Sequence, residues 1–234
     1  MSQELTAIVK EVIQRNYNVK SVRFNIGQEI DFKAGQFLSI TLQNNPALKK
    51  YLSISSSPTE KCYLEITKKL TNSDFSKAFN QIKPGDTVNI QYPLGKFILG
   101  EPAGDIAFLS GGIGITPIRS IAKYVVDNNL GTDMVLVYAN RTVKDIVFKE
   151  DFDAMQSVYP KLKVAHVLCE PSLNFVCIPG LINAQVIKDE VRDYLKRRFY
   201  LCGPPQMVSA MSKILTEELK LPGENIITEN FQGY

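Results

Sequence analysis

Histidine is nearly absent from this chain of 234 residues, with His166 the single example. One histidine excludes multi-histidine metal centres and most Ser-His-Asp arrangements. His166 lies in KVAHVL, a run that reads as a buried strand, so packing or hydrogen bonding is its expected role. Cysteine is scarce as well. Cys62, Cys169, Cys177 and Cys202 are widely spread and no CxxC occurs, which argues against a zinc ribbon or a cysteine-ligated cluster. A disulfide framework is not expected in so long a chain with so few cysteines. No apolar run approaches the ~20 residues needed to span a bilayer. The N-terminal MSQELTAIVKEVIQ carries charges where a secretory leader has an apolar stretch, so a cytoplasmic location is expected. The net charge of +3 is too mild to argue for nucleic acid. It is compatible with an acidic protein partner.

What is present has the balance of a soluble globular protein, 44% hydrophobic and 22% charged. The length suits one large or two small domains. TAIVKEVI, VKSVRFNI, QFLSITL, KYLSIS, CYLEITKKL and DTVNIQY are short runs rich in β-branched and aromatic residues, separated by turn-forming segments. Six such runs predict a small antiparallel β-barrel. A helix is expected near Ser73 to Ile82, where Phe75, Ala78, Phe79 and Ile82 fall at helical spacing. After LGEPAGD the rhythm changes. Strands DIAFLS, DMVLVYAN, KLKVAHVL, RRFYLCG and NIITENF alternate with helices over TPIRSIAKYVVDNN, FKEDFDAMQSVY, INAQVIKDEVRDYL and PPQMVSAMSKILTEELK. That alternation predicts an α/β doubly wound parallel sheet. The expected domains are therefore residues 1–101 and 102–234, with the boundary near Glu101 to Gly104. No long repeat or low-complexity tract interrupts them.

LSGGIGITP joins the first strand of the second half to its first helix. Gly111, Gly112 and Gly114 allow a tight turn and close approach of a ligand. The helix start suits a phosphate, and Pro117 suits the first helical turn. Thr116-Pro117 stands where the dinucleotide fingerprint has its third glycine. The second strand ends at Asn140-Arg141-Thr142, near the expected adenine ribose. Arg141 leans towards NADP, although a solvated arginine at a strand end is an equally simple reading. CGPPQM repeats the strand-to-helix geometry, with Cys202, Gly203 and Pro204 at a strand's carboxyl end, where open α/β sheets bind ligands.

Taken together, FKAGQF, LSISSSP, PLGKF, GGIGITP, YANRTVKDIVF, CGPPQM and ENF occur in the order and spacing of one family. The chain resembles the ferredoxin–NADP reductase-like flavoproteins over nearly its whole length. The resemblance implies a flavin-binding barrel followed by a nicotinamide-nucleotide domain. It also implies FAD and NADP or NAD as cofactors, with FAD favoured over FMN. Ser53-Ile54-Ser55-Ser56 sets the register of the flavin strand. Lys50 then takes the place of the family's arginine and Leu52 that of its tyrosine, two departures that weaken stacking and bidentate phosphate contact. Ser53 is expected near flavin N5, Ser76 at a flavin phosphate, and Glu229 as a proton-relay carboxylate near Ser53 and Cys202. Phe231 or Tyr234 is expected to cover the flavin.

These residues imply hydride transfer between nicotinamide C4 and flavin N5. Because the chain stops after ENFQGY, onward transfer is expected to use a separate acceptor such as an acidic ferredoxin or flavodoxin. Lys49, Lys50, Lys68, Lys69 and Lys196-Arg197-Arg198 are candidates for its docking surface. Two other readings remain open: an electron-transfer subunit of a larger complex, and a nucleotide-binding module without flavin.

Overall fold

The computed structural model describes residues 2–25, 31–100 and 104–230. Six strands build the first half: β1 (Gln3–Asn16), β2 (Val19–Asn25), β3 (Phe37–Thr41), β4 (Lys49–Ser53), β5 (Leu64–Lys69) and β6 (Thr87–Leu94). They lie in the order β4-β3-β6-β1-β2-β5, and every pairing is antiparallel. Just past β4, Ile54 bridges Ile66 of β5, and the Ser55 N–H donates to the Glu65 carbonyl at 2.8 Å. These contacts bring the two edges of the sheet together, closing the barrel and covering strands that would otherwise invite pairing. β1 is longer than the sequence predicts. Irregular register between Val9 and Glu11 and between Gln14 and Asn16 lets it bend around the barrel. Period-two alternation fills the interior with Val22, Phe24, Leu38, Ile40, Leu64 and Ile66. Helix α1 (Asp74–Asn80) adds Phe75 and Phe79 to this core. Ser73 caps it, accepting from the Ser76 N–H at 3.3 Å.

The second half runs β7 (Ile106–Gly111), α2 (Ile115–Asp127), β8 (Met134–Asn140), α3 (Lys149–Val158), β9 (Leu162–Leu168), β10 (Ile178–Pro179), α4 (Ala184–Glu190), β11 (Arg198–Gly203), α5 (Pro205–Lys213) and β12 (Ile226–Asn230). All six strands pair in parallel, in the order β10-β9-β8-β7-β11-β12. Every residue of β7 is buried, as a central parallel strand requires. Alternate residues face alternate helix layers. Phe108, Leu136 and Tyr200 pack with Ile118 and Ile121 of α2, whereas Leu109, Val137 and Leu201 pack with Ile187 of α4 and Met211 of α5.

Two helices depart from expectation. The segment 182–195 is not one helix, because buried Val191 leaves helical geometry at φ −120° and ψ 71°, and only a short 3-10 turn follows at Tyr194–Lys196. α5 widens into a π-helical turn over Ile214–Glu218. The proposed boundary at Glu101 to Gly104 falls mostly on residues 101–103, outside the described residues. Among the described residues no helix is long and apolar enough to cross a membrane.

The barrel docks on α2. Gly35 sits at φ +94°, and a Cβ there would lie 2.0 Å from the Phe97 carbonyl oxygen and 2.9 Å from Ile121 Cδ1. That close approach explains the glycine of FKAGQF. Buried Arg119 of α2 reaches the barrel, donating to the Ser55 carbonyl at 3.0 Å and pairing with Glu60. It also pairs with Asp151 of α3 at 2.7 Å. Ser120 adds a 2.6 Å bond to the Ser56 carbonyl.

Candidate active site

The parallel sheet reverses direction of winding between β7 and β11, and a crevice opens beyond the carboxyl ends of such neighbours. The two glycine-bearing turns meet there. Gly114 has no room for a side chain, since a Cβ would fall 2.3 Å from the Cys202 carbonyl oxygen and 2.7 Å from Gly203 Cα. Gly203 in turn packs on Gly111, whose own Cβ position is filled by Met207. Gly112 differs: at φ +53° it has nothing within 4 Å of the place a Cβ would take and lies open to the cleft. Thr116 and Pro117 are buried in the first turn of α2, the Thr116 hydroxyl donating to the Ile113 carbonyl at 3.1 Å. Pro204 is exposed at the start of α5.

Two buried polar side chains at this end of the sheet lack partners. Ser110 Oγ and both amide atoms of Asn140 have no hydrogen-bond partner among the described residues. Orphaned polar atoms are costly to bury, and polar atoms of a ligand in the cleft would satisfy them. The residues present therefore fit a nicotinamide nucleotide. Arg141 is exposed and pairs with Glu170 at 2.7 Å.

The barrel and sheet meet at Ser53, Cys202 and Glu229. Cys202 and Glu229 are register partners on β11 and β12, so their side chains share the sheet face that carries α2. Ser53 Oγ, at the end of β4 and 2% exposed, donates to Glu229 Oε2 at 3.4 Å. Burial pushes the Glu229 carboxyl up to about 7, with the Ser53 hydrogen bond opposing it. Burial, reinforced by Glu229, also pushes the Cys202 thiol well above its ordinary value. At neutral pH this cysteine is a thiol, and a thiolate nucleophile is not its role. A hydroxyl bonded to a carboxyl that titrates near neutrality can instead relay a proton.

The Glu229 shift has a consequence for folding. A carboxyl whose folded pKa is raised favours the folded state most below its ordinary value of 4.5, and that contribution declines as pH rises to about 7. Glu229→Gln is expected to remove this decline, measured as urea midpoints across that range.

Along the flavin strand, Lys50 and Leu52 are partly buried while Tyr51 is exposed, the alternation expected of a strand. The hydroxyls behind Ser53 and Ile54 turn inward. Ser55 Oγ bonds Glu65 Oε1 at 2.9 Å and Thr67 at 2.8 Å, and Ser56 Oγ accepts from the Glu65 N–H. Ser76 is fully buried within bonding distance of Thr71 and Ser73, while Asp74 points out to Lys77. Phe231 and Tyr234 lie outside the described residues.

The proposed basic surface is corrected at two positions. Arg197 is buried, held by Asp193 and Asp133 at 2.6 Å each. Lys68 is buried as well, 7% exposed. The neighbours Lys196 and Arg198 sit at the amino end of β11, away from Cys202, so the charges do not form one face. His166 packs between the Tyr138 and Phe175 rings. All four cysteines are free, and among the described residues no cluster of three metal-ligating side chains occurs.

Comparison with known proteins agrees with this fold. Residues 5–98 match the oxidoreductase FAD-binding domain family and residues 108–213 the oxidoreductase NAD-binding domain family. An NADH-cytochrome b5 reductase 1 of Mortierella alpina is 30% identical over 91% of this chain and 74% of its own. The chain belongs to the ferredoxin reductase-like family of FAD- and NAD(P)-dependent oxidoreductases. A glycine betaine monooxygenase reductase subunit of Pseudomonas aeruginosa is 32% identical over 88% of this chain, which spans 58% of that relative's length. The fold also superimposes on an Amycolatopsis cytochrome P450 reductase, GcoB, with a TM-score of 0.87 and 24% identity, covering 99% of this chain and 71% of that one. In this family member the FAD-binding match falls on the barrel and the NAD-binding match on the parallel sheet.

Proposed function

We propose that this chain moves hydride from a nicotinamide nucleotide to barrel-bound FAD and passes the electrons to a separate redox protein. The observation that carries this reading is the junction of Ser53, Cys202 and Glu229, where the flavin strand meets the carboxyl ends of β11 and β12. FAD, when bound, would supply the hydride acceptor and hold the electron pair passed onward. Lys50 would serve the flavin phosphates and Leu52 pack on the ring, with Ile54, Ser55 and Ser56 shaping the strand behind it; Ser76, expected at a phosphate, is fully buried and bonds to the turn before α1 instead. The turn at Gly111–Gly114 would face the nucleotide's phosphates, with Gly112 open to them and Pro204 across the cleft, while packed Gly114 and Gly203 bring the two turns together and buried Thr116 and Pro117 begin α2 behind them. Asn140 satisfies its orphaned amide on the nucleotide. Cys202 packs against the nicotinamide as a neutral thiol. Ser53 and Glu229 hold and relay the proton, so turnover is expected to change with pH near 7 and that change to vanish in Glu229→Gln.

Arg141 supports a narrower reading. Its guanidinium is paired with Glu170, so a 2′-phosphate at this strand end meets a carboxylate beside the arginine. NADH is therefore the preferred donor, against the lean that Arg141 alone suggests. Glu170→Gln is expected to raise kcat/KM for NADPH severalfold, with little change for NADH. Steady-state assays with ferricyanide as acceptor check both the preference and the oxidoreductase reading itself. No turnover with either nucleotide overturns that reading.

The named relatives, a cytochrome b5 reductase and a monooxygenase reductase subunit, support a protein acceptor. Lys49 at the start of β4, with Lys69 of β5, offers positive charge to an acidic ferredoxin or flavodoxin. The subunit relative also favours a second reading, in which the chain acts only within a larger complex. Rapid ferricyanide reduction by the isolated chain counts against it.

A further inference from the structure

Lys68 is a buried cation that the fold does not neutralise. Its residue is 7% exposed, yet its ammonium meets only the Lys69 carbonyl at 3.1 Å and lies 5.8 Å from the centre of the Phe75 ring. Among the described residues no carboxylate pairs with it. The buried Glu65 on the same strand is held by Arg15 and Arg23, and exposed Asp74 pairs with Lys77. Lys20, its register partner on β2, directs its amine to the Asn80 carbonyl. The Ile54–Ile66 bridge brings β4 beside β5, and Lys50 of β4 adds a second cation that Lys68 feels across this edge. Burial and that like charge push the Lys68 amine down to about 8. Two amines brought together with no acid between them are unfavourable in the empty barrel. They become favourable when a polyanion joins them.

We propose that Lys68 and Lys50 act as a pair that binds the flavin diphosphate, Lys68 being the buried anchor. This rests on the reading that the barrel holds FAD. Each ammonium is a point charge without a planar fork, so two of them, one on each side of the barrel's closing edge, share the negative oxygens of a diphosphate. A single phosphate uses the pair less fully, which selects FAD over FMN.

The test is titration of flavin-free protein with FAD, FMN and riboflavin, read by flavin fluorescence. It compares wild type with Lys68→Met, Lys68→Arg and Lys50→Met. Lys68→Met is expected to weaken FAD about tenfold to hundredfold, FMN less, and riboflavin not at all. Lys68→Arg should restore most of the FAD affinity. Without flavin, Lys68→Met should melt at or above the wild-type temperature, because a buried unpaired charge has been removed. Unchanged FAD affinity in Lys68→Met overturns the proposal, and so does an equal loss for riboflavin, which marks a packing role. A wild-type chain that binds none of the three overturns the FAD reading and this inference together.

Discussion

Gly114→Ala is expected to lose nucleotide binding while the barrel keeps its flavin. The added Cβ lands 2.3 Å from the Cys202 carbonyl oxygen and 2.7 Å from Gly203 Cα. Both obstacles are backbone, so no side chain can swing aside. Either the start of α2 or the end of β11 must move, and these two segments wall the crevice where the nucleotide is proposed to bind. Overpacking of this kind costs about 1–3 kcal/mol in stability, and a shifted phosphate loop should weaken NADH at least tenfold. Gly131→Ala, in the loop before β8 at the far end of the sheet, is the control. Its Cβ meets nothing within 4 Å, and the cost is that of a left-handed φ of +76°, about 1–2 kcal/mol. Calorimetric titration with NAD⁺, alongside flavin content, separates the two variants. Equal nucleotide affinity in Gly114→Ala and wild type would show that the β7–β11 turn is not the site.

The second large effect is expected at Arg119. This guanidinium joins Glu60 of the barrel, Asp151 of α3 and the Ser55 carbonyl. Arg15 extends the network, reaching Glu65 at 2.8 Å and Asp151 at 3.8 Å. Breaking a buried pair from one side costs about 3–5 kcal/mol, because the abandoned acid stays desolvated. Arg119→Met should therefore lower the melting temperature and split a single calorimetric transition into separate barrel and sheet transitions. Burial alone would raise the Glu60 carboxyl; the hydrogen bond and charge of Arg119 hold it below its ordinary value. The resulting stability is present above about 4.5, the ordinary value, and is lost as pH falls through the lowered one. In the variant this acid sensitivity should reverse, since Glu60 without its partner is easier to bury protonated. A single transition of unchanged midpoint would remove Arg119 from the account of domain docking.

The fold was legible because its local signals agree. Six short β-rich runs, the switch to strand–helix alternation and the glycine turn at Gly111 to Gly114 each point to one architecture. The helix near Ser73 was readable because Phe75, Ala78, Phe79 and Ile82 fall at helical spacing, a local cause. What escaped the sequence depended on distant partners. Lys68 sits beside Lys69, and Arg197 between Lys196 and Arg198, so both read as solvated charge. Only the barrel's closure and the Asp133 and Asp193 partners bury them. Arg141 and Glu170 are far apart in the chain and meet because β8 and β9 run parallel. The helical periodicity of 182–195 also gave no warning of its break at Val191, where tertiary burial overrides local preference.

If nicotinamide and flavin meet where the barrel's Ser53 joins Cys202 and Glu229 of the sheet, an anaerobic visible spectrum of the FAD-loaded protein changes on adding one equivalent of NADH. Flavin absorption is expected to bleach on mixing in wild type, and that bleaching to be lost at the same NADH concentration in Gly114→Ala. A chain that holds FAD and binds NADH, yet leaves the flavin oxidised, would contradict that meeting.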